Sequence, residues 1–194
     1  VKGHGQGTVD EIMAFLHQRI GRLEGVVFSG GEASIWPGLP GMMRLVKSLG
    51  YAVKLDTNGT QPLVLHRLLA DELIDYVALD YKAPPDKFRA VSGTRKFESL
   101  SQSLDLLCAQ NKVAYEVRTT VHTDLMNEED IIRIIRDLEG RGYDRTYFVQ
   151  NFRSDNHRAT LGFLKHQPRI LDIGSLPSPH NFSLAFRNFT NSSS

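Results

Sequence analysis

The sequence predicts an α/β protein, a partial (β/α) barrel made of a parallel sheet with helices outside. Three observations lead there. Short apolar strands alternate with helices five times from residue 25, the connections are brief, and the strands are too apolar for a sheet with one solvated face. Residues 8–22 (TVDEIMAFLHQRIGR) open the pattern with helical spacing, Thr8 as N-cap and Glu11 three positions on. Residues 25–29 (GVVFS) read as the first strand, 38–49 as a helix closed by Gly50, and 51–56 (YAVKLD) as the second strand, ending in the turn cluster TNGTQP. A helix over 62–73, a strand over 75–80 (DYVALD) and a helix over 97–110 follow. The fourth strand is 113–121 (VAYEVRTTV). A helix over 128–140 starts at Asn127 with acidic residues in its first turn, and 145–149 (RTYFV) is the fifth strand. Residues 1–150 therefore form the barrel. Residues 151–194 lose the alternation and read as a C-terminal extension that packs irregularly on it.

Bulk properties narrow the class. The chain has 194 residues, 41% hydrophobic and 23% charged, with a formal net charge of +1. That balance argues against a dedicated nucleic-acid binder, which shows a basic stripe. No apolar run approaches the ~20 residues of a membrane span, and the first residues lack a signal peptide's apolar stretch. The single cysteine, Cys108, excludes an intrachain disulfide and fits a reducing cytoplasm. Four N-x-[ST] sequons, at Asn58, Asn181, Asn188 and Asn191, read as chance occurrences in turns and tail.

In parallel α/β folds ligands bind at the carboxyl ends of the strands. Each end here delivers polar groups. The first strand is followed by Ser29, Gly30, Gly31 and Glu32, and the second by Asp56, Thr57, Asn58 and Gly59. The third ends in Asp80 and Lys82, the fourth carries Arg118, and the fifth leads to Gln150, Phe152 and Arg153. Two glycines permit positive φ and close backbone approach to a ligand. Glu32 suits an ammonium, Lys82 and Arg118 a carboxylate, and Asp56 with Thr57 a ribose hydroxyl or a monovalent cation. S-adenosylmethionine has all of these groups.

Each residue also has a purely structural reading. Gly30–Gly31 serve a tight turn, Asp56 caps a turn, and Asn58–Gly59 is a turn. Asp80–Lys82 form a surface pair, and Arg118 snorkels to solvent. Trp36 and Pro37 pack the start of the second helix. Cys108 is a buried, inert helix residue, and His122 faces the pocket only if its strand end does.

GVVFSGGEASIWPGLP, KLDTNGTQP and VALDYKAPP, in that order and each after a strand, resemble the radical S-adenosylmethionine enzymes. More specifically they resemble the glycyl-radical-enzyme activating proteins, among them the anaerobic ribonucleoside-triphosphate reductase activating protein. EVRTTV and TYFVQNFR extend the likeness, which covers about residues 8–155. The resemblance implies that Gly30, Gly31 and Glu32 hold the amino group of S-adenosylmethionine. It places Asp56 and Thr57 near its sulfonium and ribose, Asp80 and Lys82 along the site with Lys82 at the carboxylate, Arg118 as a second positive charge, and Gln150 near the adenine. It implies reductive cleavage of the cofactor, a glycyl radical enzyme (anaerobic ribonucleotide reductase) as partner, and an electron donor. Two features depart from the family pattern. Ala33 replaces the usual proline of GGEP. The three cysteines that hold the family's [4Fe–4S] cluster are missing, so the metal-ligand set is none. The sequence starts where the family's first strand and cluster loop would have ended, so the expectation is a truncated chain that makes no radical alone. The alternatives are another radical S-adenosylmethionine enzyme, such as a deazaguanine synthase, or a cluster-less protein that binds without catalysis.

Overall fold

A computed structural model describes residues 8–153, 167 and 169–189. Six helices, α1 (Val9–His17), α2 (Leu39–Ser48), α3 (Pro62–Ala70), α4 (Pro85–Ser92), α5 (Phe97–Cys108) and α6 (Glu128–Gly140), surround one sheet. Its strands are β1 (Gly25–Phe28), β2 (Ala52–Thr57), β3 (Tyr76–Asp80), β4 (Ala114–Val121), β5 (Thr146–Asn151) and β6 (Ser183–Arg187). They lie in the order β1-β2-β3-β4-β5-β6 with every neighbouring pair parallel. Parallel neighbours taken in chain order need crossovers of one hand, which set the helices on one side and curve the sheet toward a barrel. Among the described residues β1 and β6 are the edges of the sheet, which leaves the barrel open between them.

Local sequence explains the starts and stops. Thr8 and Asn127 each close a full capping box, with Glu11 and Asp130 returning the bond. Three helices start at prolines, where the missing N–H costs nothing. The helix expected over 8–22 ends at His17, and Gly21 follows at φ +76°.

Alternate residues of the strands build the core. Val53, Leu55, Val77, Leu79, Val117 and Val149 are buried to within 1% against Leu65, Leu68, Leu100, Leu104, Ile131, Ile134 and Leu138 of the helices. Each such side chain contributes about 1.5–3 kcal/mol by leaving water.

Three expectations are corrected. The opposite face of the sheet is not apolar and covered. It carries Lys54, Asp56, Asp80, Arg118 and Arg187 and stays partly accessible, because a row of ion pairs replaces packing there. The segment after residue 150 is not wholly irregular. Residues 183–187 (SLAFR) form a sixth strand on β5, since the alternating side chains of β6 find a partner edge there. Finally, α4 adds a helix between the strand expected over 75–80 and the helix expected over 97–110, started by Pro85 and ended by Gly93 at φ +74°.

Candidate functional site

The turn after β1 needs its glycines. Gly30 has φ +113° and Gly31 φ +53°, and a Cβ on either would meet nothing within 4 Å. Backbone conformation, not crowding, selects glycine, and the space beside both is open.

Glu32 follows and is tied into the fold. Its Oε1 accepts from Ser34 N–H (3.1 Å), Ser34 Oγ (2.5 Å) and Thr57 Oγ1 (2.8 Å), and its Oε2 accepts from Asn58 N–H (2.6 Å). The carboxylate thereby joins the turn after β1 to the turn after β2. A carboxylate offers about four lone-pair sites. With three donors on Oε1, the capacity that remains for a ligand ammonium is on Oε2. Sequence reasoning missed this tether, because its partners lie 2, 25 and 26 residues away.

A second group lies on the accessible face. Asp80 sits opposite Arg118 in the β3–β4 register. The Arg118 Nε donates to Asp80 Oδ1, and Nη2 lies 3.2 Å from Asp56 Oδ2. Lys82 Nζ donates to Asp80 Oδ2 at 2.8 Å, and Lys54 Nζ lies 3.5 Å from Asp56 Oδ1. The result is a row of alternating charge, Lys54–Asp56–Arg118–Asp80–Lys82. Burial works against the Arg118 charge, but Asp80 and Asp56 outweigh it and raise its pKa above the ordinary value. Asp56 Oδ1 is buried without a hydrogen bond and faces the Lys54 ammonium.

The structure thus joins Glu32 with Thr57, and Asp56 with Arg118, Asp80 and Lys82. Adjacent positions on β2 link the two groups. Gln150 is bonded to neither; its Oε1 accepts from Thr120 Oγ1 at 3.3 Å. Arg118 and Lys82 face carboxylates of their own chain rather than standing alone.

Further along the same face, Arg187 donates twice to Glu116, at 3.2 and 2.9 Å, and lies 3.5 Å over the Phe148 ring. Tyr76 donates to Glu116 at 3.1 Å, and burial, with the charge of Glu116, pushes its pKa up to about 12. The period-two runs Tyr76–Ala78–Asp80 and Glu116–Arg118–Thr120 carried a signal for this face. His122 is 1% exposed and stacks edge-on against Phe152 at 4.9 Å, so its ring is part of the packing. Trp36 packs on the start of α2 as expected, its ring against the N-cap Gly38 and its carbonyl accepting from Leu39 N–H at 3.1 Å. It is 47% exposed.

The iron–sulfur cluster does not fit the residues present. Cys108 is half-buried at the end of α5, and burial raises its thiol pKa. Among the described residues no three His, Cys, Asp or Glu side chains form a metal-binding group. The donor set suits S-adenosylmethionine, through the open glycine turn and the spare Oε2 capacity of Glu32. Among the described residues no helix is long and apolar enough to cross a membrane.

No family model matches the chain. Streptococcus suis SuiB bound to S-adenosylmethionine superposes with a TM-score of 0.68 at 12% identity, covering 96% of this chain and 45% of that one. Native anSMEcpe with bound AdoMet superposes with a TM-score of 0.58 at 16% identity, covering 78% and 44%. The fold is therefore the partial (β/α) barrel of the radical S-adenosylmethionine type. In sequence, the chain is 36% identical over 122 residues to a Methanocaldococcus jannaschii protein named "Putative glycyl-radical enzyme activating enzyme", across 60% of this chain and 50% of that protein. The resemblance to glycyl-radical-enzyme activating proteins drawn from the motifs thus recurs in a curated relative. The chain spans about half the length of that relative and less than half of either solved chain.

Proposed function

We propose that the chain acts in the activation of a glycyl radical enzyme, as a radical S-adenosylmethionine activase with anaerobic ribonucleotide reductase as the partner. The observation that supports this best is the run GGE, LDTNG and LDxKAP at the carboxyl ends of three successive parallel strands, joined there by the Glu32 tether and the Asp56–Arg118–Asp80 row. In this reading Gly30 and Gly31 let backbone approach S-adenosylmethionine, and Glu32 Oε2 accepts from its ammonium. Asp56 and Thr57 stand near its sulfonium and ribose. Lys82, at the end of the charged row, meets the carboxylate, and Arg118 holds Asp56 and Asp80 in place through its ion pairs. Gln150 stands at the far strand end, toward the adenine. When bound, S-adenosylmethionine supplies a carbon-centred radical on one-electron reduction. The ligands for the cluster that delivers that electron are not among this chain's residues, and no step is assigned to it.

Calorimetric titration of the chain with S-adenosylmethionine tests the reading. A lost charged hydrogen bond is worth about 1.5–3 kcal/mol, so Glu32→Gln should weaken binding about tenfold or more. Equal affinity in the variant, or no binding heat in the parent, would refute the role of Glu32.

A further inference from the structure

Between the β1–α2 connection and α3 lies a groove of about 380 Å³. Its walls include Trp36, Pro37, Pro40, Gln61 and Arg67. Ser34 lines it as well, and Ser34 donates from both N–H and Oγ to Glu32, so the groove borders the site directly.

Trp36 is 47% exposed and its neighbour Ile35 65%. The indole is nonetheless supported from below. A Cβ on Gly38 would come within 2.5 Å of Trp36 Cζ2 and 2.7 Å of Cε2, so the ring rests on a backbone position that only glycine leaves open. An exposed aromatic supported on one side is a strong anchor for a partner, because less side-chain freedom remains to be lost on docking. Pro37 and Pro40 present no backbone N–H, which keeps that wall apolar. Gln61 is half-buried and offers an amide to a peptide backbone. Arg67 is exposed and forms no ion pair among the described residues, so the groove carries an unbalanced positive charge. An apolar anchor, an amide and a free guanidinium suit an extended peptide that carries an acidic side chain.

We propose that this groove docks an extended segment of the polypeptide substrate, an apolar side chain against Trp36 and an acidic side chain at Arg67. The proposal rests on the functional reading above in that this polypeptide is the one presented to the S-adenosylmethionine site.

Trp36 is the one tryptophan of the chain, so its emission reports on the groove without a label. The probes are a ten-residue acetylated peptide of leucine, glycine and one aspartate, and the same peptide with lysine for the aspartate. The expected result is a saturable blue shift with the aspartate peptide and at least threefold weaker binding of the lysine peptide. Arg67→Glu should reverse that order. Gly38→Ala, which displaces the indole, should weaken both peptides, with circular dichroism verifying that the variant folds. No saturable shift with either peptide, or equal affinity for both, would overturn the proposal. A blue shift that grows with protein concentration and no peptide would also overturn it, by assigning the groove to a second copy of the chain. Calorimetry with S-adenosylmethionine on the same samples separates the two readings: absent cofactor binding beside an intact peptide response refutes the cofactor site alone.

Discussion

Arg118→Met removes the cation at the centre of the charged row. The Arg118 and Asp56 side chains are each 17% exposed and Asp80 is 24% exposed. Methionine keeps the unbranched stem of the side chain and removes the guanidinium, so the charge carries most of the effect. Removing one partner of a fully buried ion pair costs about 3–5 kcal/mol. Two features reduce that figure. The carboxylates keep some solvent, and each retains a lysine, Lys82 at 2.8 Å from Asp80 and Lys54 at 3.5 Å from Asp56. A loss of roughly 2 kcal/mol results, which for a chain of this size lowers Tm by about 4–8 °C. Thermal and urea unfolding followed by circular dichroism at neutral pH would measure it. Asp80→Asn, alone and with Arg118→Met, completes a double-mutant cycle with an expected coupling of about 1–2 kcal/mol. A Tm within about 2 °C of the parent, or a coupling near zero, would refute the reasoning. The row would then be a set of surface pairs, as Asp80 and Lys82 suggest in isolation.

Two further perturbations probe the turn after β2 and the outer face of the barrel. Gly59 has φ +71°, and a Cβ there would sit 2.8 Å from Leu79 Cδ1 and 2.9 Å from Leu100 Cδ1, both in the core. Left-handed strain and overpacking together predict that Gly59→Ala costs roughly 2–4 kcal/mol, read by urea unfolding; a loss under about 1 kcal/mol would show that the core yields there. Arg169 donates twice to Glu128, at 2.5 and 2.8 Å, and this bonding, with the Asp172 N–H, lowers the Glu128 pKa from 4.5 to about 2. A carboxyl whose pKa is depressed on folding stabilises the protein above its unfolded pKa and loses that contribution as pH falls through the folded one. The parent Tm should therefore fall more steeply than that of Glu128→Gln as pH drops from 4.5 to about 2, and parallel curves would refute the link.

Much of the barrel is legible because its signals are local. Thr8 and Asn127 announce helix starts through residues three positions on. β6 is harder, since SLAFR lies outside the strand–helix alternation and pairs with the free edge of β5. The candidate site divides in the same way. Gly30 and Gly31 are readable because positive φ restricts the residue type. The partners of Glu32 are not, because Thr57 and Asn58 belong to the next strand and its turn. Glu116 drew no notice in the sequence, yet it anchors Arg187, 71 residues on.

The sequence by itself determined which groups exist and at which strand ends they stand, because period-two alternation and turn chemistry act over a few residues. It determined as well that one cysteine is available, and that it falls on a helix rather than in a cluster loop. Only the tertiary structure decided which charges meet. Arg118 lies opposite Asp80 because the β3–β4 register places it there, and that register is set by packing Val77, Leu79 and Val117 beneath the helices. A shift of one residue would turn those side chains outward and bury the charges, so the apolar face fixes the polar one.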